Sequence, residues 1–392
     1  MSARRERPRI VFVAPYGYPA LAGAGGDGGF AYVGGAEMQQ ARLARLLAAR
    51  GHDVWMVSAD FGQGPRTAVD GITVERAYAP FAGLPGLRFF HPRLSGLWRA
   101  LDRVDADIVY QRAAGALTGQ CALWAGAHGR RFVFACAHDF DTLARSPALA
   151  NPRDAWLYRM GLHRADTVLA QSQAQAEALA RHHRLDATVV RNVIPLPAAP
   201  RPDAAADAVV WLATIRPQKR PEWILAAARA LPGTRFVVAG GPPPPPASGE
   251  HARTFRAACA TQSNVELLGF VAPELVPAVL ARARLFAHTS PAEGFPNTLL
   301  EAWAHGVPSV SVVDPDGATA EHGMGLVCTD EASFTAAVAA LWGDEARRRA
   351  MGERARAFVE RRHGPEVIVE EFTRAVGLDD GDGRSRGNGR TG

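Results

Sequence analysis

Two carboxylates and one ammonium group carry most of the chemistry this sequence can do. Glu293 and Glu301 stand eight residues apart in EGFPNTLLEAWAHG, residues 293–306, and Lys219 stands in TIRPQKRPE, residues 214–222. A charged carboxylate accepts hydrogen bonds from hydroxyl groups, each worth roughly 1.5–3 kcal/mol. An ammonium is a compact charge that settles between the oxygens of a diphosphate, which a planar guanidinium does less well unless it is met bidentately. Lys219 is the only lysine among 44 basic residues, so it survives against a strong preference for arginine.

The elements that must position these groups are legible around them. LFAHTS, residues 285–290, reads as a buried parallel strand. Glu293 lies in the turn after it, and a helix follows whose first turn holds Pro296, Asn297 and Thr298; Gly306 ahead of Pro308 stops that helix. The first-turn amides have no partner inside the helix and point, with the positive end of its dipole, into the space beyond the strand, which suits a phosphate. Glu301, about a turn and a half inside, flanks the same space. Lys219 falls between the first strand and first helix of the chain's second half, in a loop opening toward that crevice.

Strand and helix alternate on both sides of this stretch. From the amino end RIVFVAP, DVWMVSAD, ITVERA, DIVYQR, RFVFACAHD and TVLAQS read as strands, with GGAEMQQARLARLLAARG and residues 114–128 and 172–182 as helices. Residues 195–207, PLPAAPRPDAAAD, have the composition of a linker. A second set follows: strands VVWLAT, RFVVAG, NVELLGF, LFAHTS and PSVSVV, with helices over PEWILAAARAL, 254–262, 273–283, the 293–306 motif, 331–342, 344–362 and 366–376. This alternation predicts an α/β architecture of two parallel sheets, each covered on both faces, with ligands beyond the carboxyl ends of the strands. The boundaries expected are a first domain over 1–194, the linker, a second domain over 208–364, a closing helix over 365–377 and a disordered tail over 378–392. The five prolines 242–246 read as a stiff surface loop.

Composition excludes other classes. With 392 residues, 47% hydrophobic and 21% charged, the chain is long enough for two globular domains, and no apolar run approaches the roughly 20 residues of a membrane span. The start SARRERPR-IVFVAP imitates a signal peptide, but its apolar run is too short, so it is expected to be the first strand of a cytoplasmic protein. Four scattered cysteines suggest buried thiols, with neither a zinc site nor a disulfide framework. Before residue 200 there are 23 Arg and 16 acids, a net +7 that could lean on an anionic inner-membrane face or attract a phosphorylated acceptor; a solvated Arg-rich surface is the other reading.

The Glu-x7-Glu spacing with Gly-Phe-Pro inside it, after a buried strand in the second half of a two-domain chain, resembles the signature of the retaining family-4 glycosyltransferases of GT-B fold, bacterial group 1 type. The resemblance implies two Rossmann-like domains facing across a cleft and transfer of a sugar from a nucleotide diphosphate donor, such as a UDP-, GDP- or dTDP-sugar, to an acceptor hydroxyl on a glycan, lipid-linked or small-molecule acceptor. No metal and no cofactor are expected, nor a nucleic-acid partner. In the family the first Glu holds donor-sugar hydroxyls and the second binds the ribose, which assigns Glu293 and Glu301, with Gly294, Phe295, Pro296, Asn297, Thr298 and Leu299 lining the donor. The family's Arg five residues before its Lys is Thr214 here, so Arg216 is the candidate substitute beside Lys219. His138 ends the apolar strand FVFACAHD, where a lone His is more often a surface residue; the resemblance reverses those odds and places it beside the donor sugar. In the family a loop such as that at Gly34 and Gly35 lets backbone amides approach the diphosphate or acceptor, and Gly269, Phe270 and Val271 fall where the family reads the nucleotide base, flat apolar packing being the other reading. The final helix is expected to cross back onto the first domain.

Two other patterns carry less. Gly23, Gly25 and Gly28 satisfy G-x-G-x-x-G, but float in a loop past Pro15. Asp314 and Asp316 form Asp-x-Asp, the metal clamp of a different glycosyltransferase fold. The rival functions are a nicotinamide-dependent dehydrogenase and a catalytically silent nucleotide-sugar-binding protein.

Overall fold

A computed structural model describes residues 7–23, 33–147, 149–198, 206–242 and 249–378. Gly25 and Gly28, most of the linker, Pro243–Pro246 of the proline run and residues 379–392 of the expected tail lie outside the described residues. The chain divides into two compact units. One comprises residues up to 170, 176–190 and those from 368 onward; the other comprises 171–175 and 191–367.

The first unit is built on an eight-stranded sheet. Its strands are β1 (Ile10–Val13), β2 (Val54–Ser58), β3 (Arg66–Val69), β4 (Ile72–Arg76), β5 (Ile108–Arg112), β6 (Arg131–Ala135), β7 (Thr167–Ala170) and β8 (Thr188–Val189), in the order β3-β4-β2-β1-β5-β6-β7-β8. All neighbours are parallel except β3 and β4. Continuous burial along β1 and β2 is what a strand covered on both faces requires. One face packs Val11, Val13 and Phe134 under helices that contribute Leu101, Trp124 and Tyr158. On Phe12 and Tyr110 rests Phe372 of the last helix, Pro365–Val376, at ring separations of 6.4 and 5.6 Å. The same helix end is tied down where Arg131 Nη1 donates to the Val376 carbonyl at 2.8 Å.

The second unit holds six parallel strands, β9 (Ala208–Leu212), β10 (Phe236–Ala239), β11 (Val265–Gly269), β12 (Ala283–His288), β13 (Ser309–Ser311) and β14 (Gly325–Val327), in the order β11-β10-β9-β12-β13-β14. Every apolar run read as a strand overlaps one. The strands not foreseen are β3, β8 and β14, all short and at sheet edges. The helix expected over 273–283 is shorter: a helical turn over Pro273–Leu275 and a helix over Val276–Leu280, with Ala283 already opening β12. Its end is set from outside, because the Arg282 carbonyl accepts from the Asp207 and Ala208 amides that start β9.

Beneath the sheet the fully buried His363 ties two distant segments of this unit. Its Nδ1 lies 2.9 Å from the Asn192 carbonyl, so Nδ1 carries the hydrogen, and its ring packs 4.8 Å from that of Phe295. Burial above all pushes its pKa down to about 3. A histidine depressed on folding stabilises the fold above its unfolded pKa, and that stability is lost as pH falls from about 6.5 toward 3. The sign gives a test by denaturant unfolding. Between pH 7 and 5 the parent is expected to lose roughly 2 kcal/mol through this residue, and His363→Gln is expected to lose correspondingly less. Parallel losses in the two proteins would contradict the assignment.

Candidate active site

The second unit brings its chemistry together through strand order. β9 and β12 are hydrogen-bonded neighbours, with Trp211 opposite Ala287, and they run parallel. After β9 the chain turns to helix Glu222–Ala230, which packs Ile224 and Leu225 on the face of Trp211, Leu285 and Ala287. After β12 it turns to helix Asn297–Ala304, which packs Leu299, Leu300 and Trp303 on the opposite face with Val210 and Phe286. Connections that leave adjacent strands for opposite faces open a crevice between them at the carboxyl ends. Lys219 enters it from one connection and Glu293 from the other.

The Lys219 loop is fixed by hydrogen bonds to its backbone. Trp211 Nε1 donates to Thr289 Oγ1 at 2.9 Å, and that hydroxyl donates to the Lys219 carbonyl at 2.5 Å. Lys219 closes a short helical turn, Pro217–Lys219, and Arg220 beyond it takes a left-handed conformation, φ +45°. The Lys219 ammonium donates to Glu293 Oε1, which also accepts from Ser290 Oγ at 2.8 Å. Both hydrogen bonds fall on one oxygen, so among the described residues the lone pairs of Oε2 are those left to a ligand.

These two side chains are only 17% and 15% exposed, and that burial bears on the carboxylate. Burial pushes the Glu293 carboxyl up, but the Lys219 charge and the hydrogen bonds from Lys219 and Ser290 outweigh it and hold the group below the usual carboxylate range. His288, buried at the end of β12, is lowered to about 4, by burial first and by Lys219 as well, against the pull of Glu293. At neutral pH His288 is therefore uncharged, and the Lys219–Glu293 pair supplies the charge at this spot.

The helix after Glu293 presents its open end to the same crevice. Pro296 does not lie in the first turn, as the sequence suggested, but caps it with an extended backbone (φ −62°, ψ 122°) and no side-chain hydrogen bond; the helix begins at Asn297. Glu301 is thus the fifth helical residue, just over one turn in. The buried Asn192 clamps this start, its Nδ2 donating to the Phe295 carbonyl at 3.0 Å and to Asn297 Oδ1 at 2.9 Å. Gly294, Phe295, Pro296 and Leu299 are buried, while Asn297, Thr298 and Glu301 are half-buried. Behind them Trp303 meets Phe295 and Phe358 edge-on at 6.4 and 5.9 Å, pairs worth about 0.5–1.5 kcal/mol beyond burial. Gly306 ends the helix at φ +72°, and Gly352 lets helix Glu345–His363 cross there, since a Cβ on it would overlap the Gly306 carbonyl.

The remaining predicted residues are placed as follows. Arg216 is exposed in an extended conformation just before the Lys219 turn. Gly269 ends β11 at φ +74°, Phe270 is 50% exposed and Val271 packs onto the core. Gly34, Gly35 and His138 belong to the first unit. Gly34 caps helix Gly35–Ala49 in an extended conformation, and its carbonyl accepts from Met38 N. His138 follows β6 and caps the turn Asp139–Thr142: its Nδ1 accepts from Phe140 N at 3.1 Å, so in the neutral ring the hydrogen sits on Nε2.

Several supporting residues went unread in the sequence. Asp141 accepts from the Ala137 and His138 amides at 2.7 and 3.1 Å and fixes the His138 turn; the signal was the acid three residues after the cap. Ser290, Thr289 and Asn192 do the same for the second unit. Gly23 ends a helix, Gly17–Ala22, where a dinucleotide fingerprint would open one. Asp314 accepts from the Thr319 and Ala320 amides, and Asp316 from those of Gln173 and Ala174.

Known proteins share this fold. The profile of Glycosyltransferase Family 4 matches residues 33–196 and that of Glycosyl transferases group 1 matches residues 206–344. No curated protein sequence matches the chain. Among solved structures, sucrose-phosphate synthase from Thermosynechococcus elongatus superposes with a TM-score of 0.75 at 18% identity, over 94% of this chain and 98% of that one. HepE of Anabaena, solved in complex with UDP-glucose, gives 0.73 at 18% identity over 94% and 99%. A glycosyltransferase from Rickettsia africae gives 0.67 at 12% identity over 96% and 100%.

Proposed function

Because the chain belongs to the group 1, family-4 glycosyltransferases of GT-B fold, we propose that it transfers a sugar with retention of configuration from a nucleoside diphosphate donor to an acceptor hydroxyl, without a metal. The observation that carries this reading is the Lys219–Glu293 pair at the mouth of helix Asn297–Ala304. Lys219, which has three donors, keeps Glu293 and also meets the diphosphate, together with Arg216 and the first-turn amides. Glu293 holds the transferred sugar through Oε2, Glu301 takes the ribose diol, and the segment Gly269–Val271 faces the base. HepE, solved with UDP-glucose, supports a UDP-sugar as the first donor to try.

Chemistry at such a site needs no strong protein base. The bond from the anomeric carbon to the leaving phosphate breaks as the bond to the acceptor oxygen forms on the same face, and the acceptor's proton passes to the leaving phosphate oxygen. Catalysis then rests on charges arranged beforehand where negative charge develops on the diphosphate. His138 and the Gly34–Gly35 amides are assigned to the first unit's side of the reaction, and that unit's basic surface suits an anionic membrane or a phosphorylated acceptor.

Thermal melting tests the reading. At one hundred times its dissociation constant a ligand that binds only the folded state adds about 2.7 kcal/mol, which raises the melting temperature of a unit this size by roughly 5–10 °C. At least one of UDP, GDP, dTDP and their sugars is expected to do so. If none shifts the melt at millimolar concentration, the proposal fails.

A further inference from the structure

Among the described residues of the first unit, the most exposed large apolar side chains gather in one place. Phe81, Leu84, Leu87 and Phe90 are 58–69% exposed within ten residues of the segment after β4, and Trp156, at 58%, stands on helix Pro152–Leu162. The two segments touch, since the Arg153 guanidinium lies 3.6 Å from the centre of the Phe89 ring. Each follows the carboxyl end of a strand, β4 or β6, so both lie at the end of the sheet that carries His138. Side chains this large are ordinarily turned inward; a cluster turned out marks an interaction surface.

Charge narrows the partner. Residues 77–99 and 142–164 together hold seven arginines and one acid, Asp154, which is already bonded to Arg153 at 2.8 Å. Arg88, Arg145, Arg153 and Arg159 are exposed. A second copy of the chain would set arginines against arginines, and a phosphorylated small molecule would leave the phenylalanine and leucine tips in water. A bilayer with anionic headgroups satisfies both features, because the tips enter the acyl boundary while the guanidinium groups stay among the phosphates.

We propose that residues 81–90 and the exposed face of helix Pro152–Leu162 around Trp156 dock the first unit on an anionic bilayer, so that the acceptor hydroxyl is one borne at a membrane surface. The acceptor clause rests on the glycosyltransferase reading; the docking does not, and it is measured without turnover. Co-sedimentation of the full chain with vesicles of phosphatidylcholine and phosphatidylglycerol in equal parts is expected to pellet the protein, and phosphatidylcholine alone is not. The bound fraction should fall as salt rises. Leu84→Asp with Leu87→Asp is expected to weaken vesicle binding at least about tenfold, and Arg88→Glu, which leaves the apolar tips in place, to weaken it as well. Nucleoside diphosphate binding should stay that of the parent in both variants. Three results would overturn the docking: no binding of the parent to mixed vesicles at low salt, undiminished binding of both variants, or a parent dimer in sedimentation that Leu84→Asp with Leu87→Asp dissolves. Loss of nucleotide binding by the parent itself would instead overturn the glycosyltransferase reading and leave the docking standing.

Discussion

Lys219→Ala is expected to lower donor turnover by roughly a hundredfold or more, the size seen when one preorganised charge-stabilising donor is removed. The structure adds a second consequence. Glu293 would keep its burial and lose the cation that offsets it, so its pKa, held down in the parent, should rise. Residual turnover should then climb with pH into a range where the parent is already flat. Arginine at the position restores charge without the compact head that fits between phosphate oxygens and also reaches Glu293, and should rescue only part of the rate. Stripping one partner from a buried pair also costs stability. Lys219→Met combined with Glu293→Gln controls for that, since it leaves no unpaired charge and should melt closer to the parent while turning over no faster than Lys219→Ala. Unchanged turnover in Lys219→Ala would sink the assignment and pass the role to Arg216 or Arg220.

How far the sequence foretold the site depends on how local each cause is. β12, the turn at Glu293 and helix Asn297–Ala304 follow from one apolar run and one pair of stop signals, all between Ala283 and Pro308, and so were readable. That Lys219 and Glu293, 74 positions on, open toward one crevice was readable from the alternation, because both follow carboxyl ends of a parallel sheet; that they bond to each other, with β9 lying beside β12, was not. Asn192 was not: it reaches the Phe295 carbonyl from 103 positions away out of a segment without regular structure. Nor was β3, whose side chains alternate between exposed and half-buried and show no apolar run. The Asp70–Gly71 pair between β3 and β4, both at positive φ, is the one local hairpin signal there. The misplaced end of helix Val276–Leu280 has a tertiary cause, the amides of β9 claiming the Arg282 carbonyl, and helical propensity carries no trace of it.

The second large effect separates the two glutamates. Glu301→Ala should raise the donor KM with little change in kcat, because a grip on the ribose is the same in ground and transition states. Glu293→Ala should lower kcat, because the sugar proposed for it changes geometry as its bond to phosphate breaks. Titration calorimetry with the sugarless nucleoside diphosphate tests this account of the crevice most directly. Glu301→Ala is expected to lose the roughly 1.5–3 kcal/mol of a charged hydrogen bond. Glu293→Ala is expected to bind at least as tightly as the parent, since Lys219 is then released wholly to the diphosphate. Equal losses of affinity in both variants, or no loss in either, would contradict the assignment of ribose to Glu301 and sugar to Glu293.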